Sequence, residues 1–276
     1  MNGPEPVAPD RSLIYKTTDE IELRLHVFEP DRADRERDPL PCILFFFGGG
    51  WRAGTPEQFY PHCEYLASRG LVAISAEYRV SWDDPNPFEC VADGRSAMRW
   101  VRAHAADLGI DPDRVAAGGG SAGGHVAAAC ATTAIDDQSE DLTVNAQPDA
   151  LVLFNPVFDN GRGGFGHETM RGRWREISPL HNIGVGHPPT AVFLGGDDGL
   201  MPVAAAQTYG ERMAAVGAPY ELFVYPGQPH GFFNYRDGAN LHYYSALSEA
   251  DRFLASLGFT HGPPTIAESP VEVTRS

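Results

Sequence analysis

The run GGGSAGG at 118–124 contains one serine, Ser121, and it matches two motifs of unrelated chemistry. Counted from Gly119, the run is G-x-S-x-G, the turn that exposes the nucleophilic serine of many hydrolases. Counted from Gly118, it is G-x-G-x-x-G, the loop that binds the pyrophosphate of a dinucleotide. The two interpretations need different surroundings, so the neighbouring sequence can separate them.

The dinucleotide interpretation fits its surroundings poorly. A dinucleotide fingerprint normally occupies the first strand-to-helix turn of its fold, but this run follows at least the fifth predicted strand. The acidic residue expected about 20 positions later should lie at the end of a second strand. Asp136 and Asp137 have roughly that spacing, but they lie where the predicted helix ends. The sequence therefore favours the serine interpretation.

A nucleophile elbow explains why small residues flank the serine. The elbow is a strained turn between a strand and a helix, and only small neighbours let the two pack around it. Gly119, Ala122, Gly123 and Gly124 provide those neighbours. The helix that follows would direct its N-terminus at the site, which favours developing negative charge. An inert glycine-rich helix start would show the same local pattern, so other segments must decide.

A second glycine-rich segment has the composition of an oxyanion hole. The sequence FFFGGGW (45–51) leaves a predicted buried strand and enters three glycines. Because glycine has no side chain to block an approaching oxygen, its backbone N–H can point at a negatively charged oxygen. We expect the N–H groups of Gly49, Gly50 and Ala122 to be the donors, although a plain glycine turn would have the same sequence.

Two aspartates follow a late predicted strand, in FLGGDDGLMPV (193–203). Catalytic side chains cluster at the carboxyl ends of parallel strands, and a carboxylate there can hold an imidazole in one tautomer. Asp198 is the preferred candidate, and Asp197 is the competitor because it is nearer the strand. Capping of the loop is the alternative role for either residue.

His230 lies in the loop YPGQPHGFFN (225–234), after the last predicted strand. A histidine at that edge is placed to act as a general base. The chain order Ser121, Asp198, His230 matches the Ser…Asp/Glu…His order found on one large hydrolase fold. His125 is a rival, but it lies four residues after Ser121 on the same helix, and we expect its ring to pack beneath the elbow.

The elements that must position these residues alternate between strands and helices, which predicts a mostly parallel sheet covered on both faces. The first two strands are predicted to form a hairpin turning at 18–20, and a charged loop follows at 31–39. The predicted strands are 12–17, 21–30, 42–47, 71–79, 114–119, 150–157, 190–196 and 220–226. The predicted helices are 56–69, 88–108, one that starts at Ser121, 203–216 and 241–257.

Five stretches together resemble the α/β-hydrolase superfamily, and within it the hormone-sensitive-lipase-like and carbohydrate-esterase-like carboxylesterases, the relatives of feruloyl and acetyl-xylan esterases. They are GGGW (48–51), EYR (77–79), GGSAGGH (119–125), DDGLMP (197–202) and GQPHGF (227–232). The resemblance implies a Ser121–His230–Asp198 triad, with an oxyanion hole formed by Gly49, Gly50 and Ala122. We expect neither a cofactor nor a metal ion, since the histidines and cysteines lack zinc-ligand spacing.

The resemblance covers about residues 12–258 and implies the α/β-hydrolase fold. We expect one domain over residues 1–276, with a mostly parallel eight-stranded sheet, helices on both faces and a short cap. The irregular segment 158–188 is long for a connection and is the candidate for that cap. We expect the tail at 262–276 to be loosely ordered.

The chain departs from the pattern of these relatives in three places. Phe47 stands where the family usually has a histidine that is thought to orient the glycine loop, so the support of that loop is in question. Glu77 replaces the aspartate of the usual DYR. Residues 1–40 are predicted as strands and loop rather than as a larger N-terminal cap, which favours the carbohydrate-esterase-like branch.

Composition excludes several classes of partner. The net charge of −16 argues against nucleic acid or an anionic membrane, which need clustered Lys and Arg. The longest apolar run is too short to span a bilayer, and the start MNGPEPVAPDRS does not resemble a signal peptide. Four widely spaced cysteines fit reduced, buried thiols. We therefore expect a cytoplasmic protein, and the sequence makes no prediction of its oligomeric state.

The expected activity is hydrolysis of a carboxylic ester through an acyl-serine intermediate. The substrate would carry a short-chain or aromatic acyl group, such as acetyl or feruloyl on a small alcohol or a carbohydrate. Trp51 adjoins the oxyanion glycines and is the candidate pocket residue. Two alternatives stay open at this point, namely an amide-cleaving serine hydrolase of the peptidase or arylformamidase type and an inactive binding protein on the same fold.

Overall fold

A computed structural model describes residues 7–18, 21–31, 39–236, 238, 240–266 and 270–276. Asp19 and Glu20 of the predicted hairpin turn lie outside the described residues, and so do residues 32–38 of the predicted charged loop. Within the described ranges, no helix is both long and apolar enough to cross a membrane.

In the part of the chain that the structure describes, nine strands form one sheet, and the eight predicted strands are among them. They are β1 (Arg11–Thr17), β2 (Glu22–Phe28), β3 (Leu40–Phe46), β4 (Val72–Ala76), β5 (Ile110–Gly120), β6 (Leu151–Phe154), β7 (Thr190–Gly195), β8 (Tyr220–Tyr225) and β9 (Thr274–Arg275). Their order in the sheet is β1-β2-β4-β3-β5-β6-β7-β8-β9. The six strands from β4 to β8 in this order are parallel, and β1, β2 and β9 are antiparallel to their neighbours.

The ninth strand comes from the tail that was expected to be loosely ordered. Thr274–Arg275 pair with β8 at the edge of the sheet, and main-chain bonds of 3.0 Å join Leu222 and Ser276 in both directions. Both residues of β9 are exposed, so the strand has no buried side chain that would make it recognisable in the sequence. Unpaired main-chain groups at the edge of a sheet bind a passing segment in this way.

Six α-helices alternate with the strands in the described ranges. They are α1 (Tyr60–Ser68), α2 (Pro87–Ala103), α3 (Ala105–Leu108), α4 (Ala122–Thr132), α5 (Val203–Ala215) and α6 (Leu241–Ser256). The predicted helix 56–69 begins as a 3₁₀ turn at Pro56–Phe59, and the predicted helix 88–108 is interrupted at His104. The predicted cap segment at 158–188 contains three short 3₁₀ helices, His167–Met170, Trp174–Glu176 and Pro179–His181.

The central strands are buried along almost their whole length. Every residue of β4, β6 and β7 is buried, as are Pro41–Phe46 of β3. Because successive side chains of a strand point to opposite faces, burial of every residue means that both faces of the sheet are covered here. The carboxyl ends of these parallel strands therefore form the one edge at which loops from many strands meet.

A buried ion-pair network attaches β1 and the segment after β4 to α2. Asp93 of α2 has a fully buried side chain, and its carboxylate lies 3.1 Å from Lys16 Nζ and 2.7 Å from Arg79 Nε. A second guanidinium nitrogen of Arg79 donates to it at 2.8 Å. Tyr78, next to Arg79, donates its hydroxyl to the carbonyl of Phe47 at 2.6 Å. The EYR stretch therefore connects the helix layer to the glycine loop that follows β3.

Asp93→Asn should lower the free energy of unfolding by about 3–5 kcal/mol, because the two cations would lose their buried counter-charge. Urea unfolding at pH 7 measures the change. Asp84→Asn is the matched control, since Asp84 forms an exposed pair with Arg171 and its loss should cost at most about 1 kcal/mol. Equal losses in the two variants would contradict a structural role for the buried network.

Candidate active site

Ser121 occupies a strained turn between β5 and α4. Its backbone has φ 54° and ψ −119°, a conformation that costs a non-glycine residue about 1–3 kcal/mol. Its N–H donates to Phe154 O at 2.9 Å, and its carbonyl accepts from His125 N at 3.0 Å and Val157 N at 3.3 Å. These main-chain bonds hold the turn, so the strain does not relax and the side chain stays at the edge of the sheet.

The glycines around the serine are required because the backbones approach one another closely. A side-chain carbon on Gly123 would lie 2.0 Å from the carbonyl oxygen of Phe46, and one on Gly119 would lie 2.5 Å from the carbonyl oxygen of Gly123. Any larger residue would push α4 away from β3 and β5. The sequence motif is thus explained by packing.

The structure brings the three residues of the predicted triad together. Ser121 Oγ lies 3.0 Å from Nε2 of His230, and Nδ1 of the same ring lies 2.8 Å from Oδ2 of Asp198. Asp197, the competing aspartate, is exposed, and its N–H donates to Gln228 O at 3.0 Å. Such a chain of hydroxyl, imidazole and carboxylate can move a proton from the hydroxyl to the ring.

The carboxylate of Asp198 is buried and fully hydrogen-bonded. Oδ1 accepts from the N–H groups of Leu200 at 2.8 Å and Met201 at 3.0 Å. Oδ2 accepts from Asn155 Nδ2 as well as contacting His230. Burial raises the pKa of Asp198, but the hydrogen bonds from His230, Met201 and Leu200 outweigh it, so this pKa lies below its usual value.

The predicted oxyanion loop follows β3 and lies against the serine. A side-chain carbon on Gly48 would be 3.3 Å from Ser121 Cβ, and the N–H of Gly48 donates to Gln58 Oε1 at 2.6 Å. Among the described residues, no protein acceptor is hydrogen-bonded to the N–H of Gly49 or Gly50. Ala122 is the first residue of α4, so its N–H has no acceptor within the helix. None of the three N–H groups therefore has a protein acceptor among the described residues.

Phe47 supports the loop in a different way from a histidine. Its ring stacks on Tyr78 with the ring centres 4.4 Å apart, and its carbonyl accepts the hydroxyl of the same tyrosine. The side chain is buried. It therefore anchors the start of the loop by packing and offers no polar group to the glycines.

Two residues from the sequence analysis lie beneath the site rather than in it. His125 is fully buried, and burial lowers its pKa to about 4. Trp51, the predicted pocket residue, is 1% exposed and packs edge-on against His125 with ring centres 5.1 Å apart. The prediction for Trp51 needs correction, because its ring is part of the core next to the predicted cap segment and does not line the pocket described next.

An apolar pocket of about 110 Å³ lies beside Asp198. Leu200 and Met201, whose N–H groups bind the Asp198 carboxylate, form one wall, and Phe165 from the predicted cap segment forms another. The remaining lining residues are Pro156, Phe158, Asp159, Gly163, Gly164, Leu194, Pro202, Ala205 and Ala206. The predicted cap segment therefore closes one side of a pocket that borders the loop after Asp198.

Residues 25–159 match the BD-FAE family, and residues 143–259 match the dienelactone hydrolase family. The chain is 28% identical over 258 residues to the carboxylesterase NlhH of Mycobacterium tuberculosis. This match covers 84% of this chain and 77% of that protein. The apo structure of Thermogutta terrifontis esterase 2 matches with a TM-score of 0.87 and 40% identity, over 95% of this chain and 100% of that one. The chain is an α/β-hydrolase carboxylesterase. It belongs to the hormone-sensitive-lipase-like branch, one of the two branches that the sequence resembles, whereas residues 1–40 had favoured the other, and its class is that of carboxylic ester hydrolases.

Other structures of the Thermogutta esterase also resemble this carboxylesterase. They show that protein with propionate bound, with butyrate bound and phosphorylated by paraoxon, each at 40% identity and a TM-score of 0.85. These matches cover between 93% and 95% of this chain and between 97% and 99% of that one. Among the described residues of the present esterase, no group of three or more His, Cys, Asp and Glu side chains is placed to hold a metal ion.

Asn155 contacts the site but is absent from the sequence-based prediction. It follows β6 with φ 43°, its side chain is buried, and its Nδ2 donates to Asp198 Oδ2. Asparagine is one of the few residues that adopt positive φ readily. The signal available in the sequence was therefore an asparagine directly before Pro156, at the end of a predicted central strand. This signal does not identify Asp198 as the hydrogen-bond partner.

Asn155→Gly should lower esterase activity about tenfold to a hundredfold, because a hydrogen bond to a charged group contributes about 1.5–3 kcal/mol. Glycine tolerates the positive φ, so the variant should still fold, with a thermal midpoint lowered by the loss of this buried hydrogen bond. Initial rates with p-nitrophenyl butyrate measure the effect. Asn145→Gly is the control, since Asn145 is exposed and precedes the opposite end of β6. An equal loss of activity in Asn145→Gly, or full activity in Asn155→Gly, would refute the role assigned to Asn155.

Proposed function

We propose that this esterase hydrolyses esters of short aliphatic acids through an acyl intermediate on Ser121. The observation that carries the proposal is the unbroken chain from Ser121 Oγ through His230 to Asp198, with contacts of 3.0 Å and 2.8 Å. At its serine end lie the N–H groups of Gly49, Gly50 and Ala122, which have no protein acceptor among the described residues. His230 is the general base and acid, and Asp198 orients its ring.

In the first half-reaction the Ser121 hydroxyl attacks the ester carbonyl carbon while Nε2 of His230 takes its proton. The carbonyl oxygen becomes negative and accepts from the N–H groups of Gly49, Gly50 and Ala122, an interaction that contributes about 3–4 kcal/mol per donor in a comparable protease. When the tetrahedral intermediate collapses, the bond to the alcohol oxygen breaks. His230 returns the proton to the departing alcohol, and the acyl group stays on Ser121.

In the second half-reaction water replaces the alcohol. His230 removes a proton from the water, whose oxygen attacks the acyl carbon of the ester on Ser121. The same N–H groups bind the second oxyanion. Collapse breaks the bond to Ser121 Oγ, the proton returns from His230 to this oxygen, and the carboxylic acid leaves.

The pocket beside Asp198 supports a short acyl or alcohol group. Its volume of about 110 Å³ is well below the roughly 300–1,000 Å³ of pockets that enclose drug-sized ligands. The Thermogutta esterase binds propionate and butyrate in its structures, which fits the same size range. These observations favour acetyl to butyryl esters over the feruloyl esters that were considered from the sequence. The alcohol part of the substrate, which includes carbohydrates among the candidates, is to be identified by assay.

Ser121→Ala should lower turnover of p-nitrophenyl butyrate by more than about 10³-fold, because the nucleophile of the first half-reaction is removed. Ser68→Ala, which changes an exposed serine at the end of α1, should retain wild-type turnover.

The esterase should also be inactivated by paraoxon with release of 4-nitrophenolate, and peptide mass spectrometry should place the diethylphosphoryl group on Ser121. Turnover by Ser121→Ala at the wild-type rate, or a label on another residue, would refute the mechanism.

Ala205→Phe should shift the acyl preference towards acetate. Ala205 lines the pocket from α5, and a phenyl ring there would fill space that a butyryl chain needs. We expect kcat/KM for p-nitrophenyl butyrate to fall relative to that for p-nitrophenyl acetate. Ala204→Phe is the matched control, because Ala204 is exposed and absent from the pocket lining. An unchanged ratio of the two substrates in Ala205→Phe would show that the acyl group binds elsewhere.

A further inference from the structure

The oxyanion loop has a polar support that does not come from the position where its relatives have a histidine. Phe47 offers the loop no polar side chain, yet the first glycine is hydrogen-bonded, because Gly48 N–H donates to Gln58 Oε1 at 2.6 Å. Gly48 lies against Ser121, since a side-chain carbon on it would be 3.3 Å from Ser121 Cβ and 3.5 Å from Gln58 Oε1. Gln58 therefore contacts the loop at the point nearest to the serine.

The side-chain amide of Gln58 also reaches the loop that carries His230. Its Nε2 donates to Asn234 Oδ1 at 2.8 Å, and Asn234 Nδ2 donates to Gly231 O at 2.9 Å. A side-chain amide has one accepting end and one donating end. Because Gly48 N–H must face the oxygen of Gln58, the nitrogen of that amide faces Asn234, and each amide in the chain fixes the orientation of the next.

Gln58 extends from a rigid part of the structure. It belongs to the 3₁₀ turn Pro56–Phe59, in which both Pro56 and Phe59 are buried. The ring of Phe59 stacks on Phe45 of β3 with centres 4.8 Å apart, and Ser75 of β4 donates its hydroxyl to Pro56 O at 2.8 Å. The turn is thus fixed to two central strands, and the Gln58 side chain is a short link from the sheet to the catalytic loops.

We propose that Gln58 is a positioning residue for the oxyanion hole. It holds Gly48 so that the N–H groups of Gly49 and Gly50 face the acyl oxygen, and through Asn234 it fixes this loop relative to the turn after His230. The inference rests on the proposed serine mechanism. Stabilisation of the oxyanion needs donors fixed in advance of the reaction, so loss of the link should affect the transition state more than substrate binding.

The test is Gln58→Leu, which removes both ends of the amide at similar volume. We expect kcat for p-nitrophenyl butyrate to fall about 10–100-fold, less than the roughly 10²–10³-fold lost when an oxyanion donor itself is removed, with KM within about twofold of wild type. The affinity for an alkyl trifluoromethyl ketone, which forms a hemiketal oxyanion with the serine, should fall by the same factor. A purely structural role would change the thermal midpoint without this parallel loss.

Gln147→Leu is the matched control. Gln147 is also partly exposed and donates its side-chain amide to a backbone carbonyl, that of Gly186, at 3.1 Å. It precedes β6 and so lies at the end of the sheet opposite the catalytic loops. We expect kcat and ketone affinity to match those of wild type in this variant.

Asn234→Ala provides a second, independent variant. It should lower kcat less than Gln58→Leu, and the double variant should be no slower than Gln58→Leu alone, because Asn234 acts through Gln58. Additive losses, or wild-type kcat and ketone affinity in a folded Gln58→Leu, would overturn the inference. Failure of the proposed function is distinguishable, since it would be seen as turnover by Ser121→Ala whatever Gln58→Leu does.

Discussion

Ser121 has φ 54°, which costs a serine about 1–3 kcal/mol and persists only where the surrounding packing enforces it. Here the enforcement comes from two neighbouring strands. Main-chain bonds from Phe154 and Val157, at the end of β6, hold the turn from one side. On the other side α4 lies so close to β3 that only glycine fits at position 123, beside the carbonyl of Phe46. The same contact places the start of α4 next to the glycine loop that leaves β3. The serine and the candidate oxyanion donors are therefore brought together by one packing constraint.

The order of the strands explains why Asp198 and His230 need additional hydrogen bonds to hold them near Ser121. Ser121 follows β5, Asp198 follows β7 and His230 follows β8, so the histidine loop must extend back over two strands to reach the serine. Main-chain bonds from the loop after β7 hold it, with Gly196 N–H donating to Tyr225 O at 2.8 Å and Asp197 N–H donating to Gln228 O at 3.0 Å. β6 lies between the strands of the serine and the aspartate, and the residue at its end, Asn155, donates to Asp198. Each strand from β5 to β8 is thus followed by either a residue of the predicted triad or a residue that hydrogen-bonds to one.

The sequence was sufficient to predict the eight main strands and the three residues that meet at the edge, because each has a local signal. A strand is indicated by a continuous apolar run, and the elbow by glycines at fixed spacing around Ser121. The supports lack such a signal. Gln58 and Asn234 are 176 residues apart in the chain, and neither lies in a recognisable motif, so only the folded arrangement shows that their amides meet. Trp51 was misplaced for the opposite reason, since its position next to the glycines suggested a pocket, whereas its ring is buried and packs on His125.

The hydrogen bonds of Asp198 determine which nitrogen of His230 carries the proton. Main-chain N–H groups occupy Oδ1, and Asn155 donates to Oδ2, so the carboxylate cannot rotate without leaving a buried donor unpaired. The lowered pKa of Asp198 keeps it ionised at neutral pH, and an ionised carboxylate can only accept. Nδ1 of His230, 2.8 Å away, must therefore be the donor. In the neutral ring this leaves Nε2 unprotonated, with its lone pair directed at the Ser121 hydroxyl. In the proposed mechanism the buried acid thus prepares the base without exchanging a proton with it, and the two main-chain donors to Oδ1 are as much a part of that preparation as the aspartate itself.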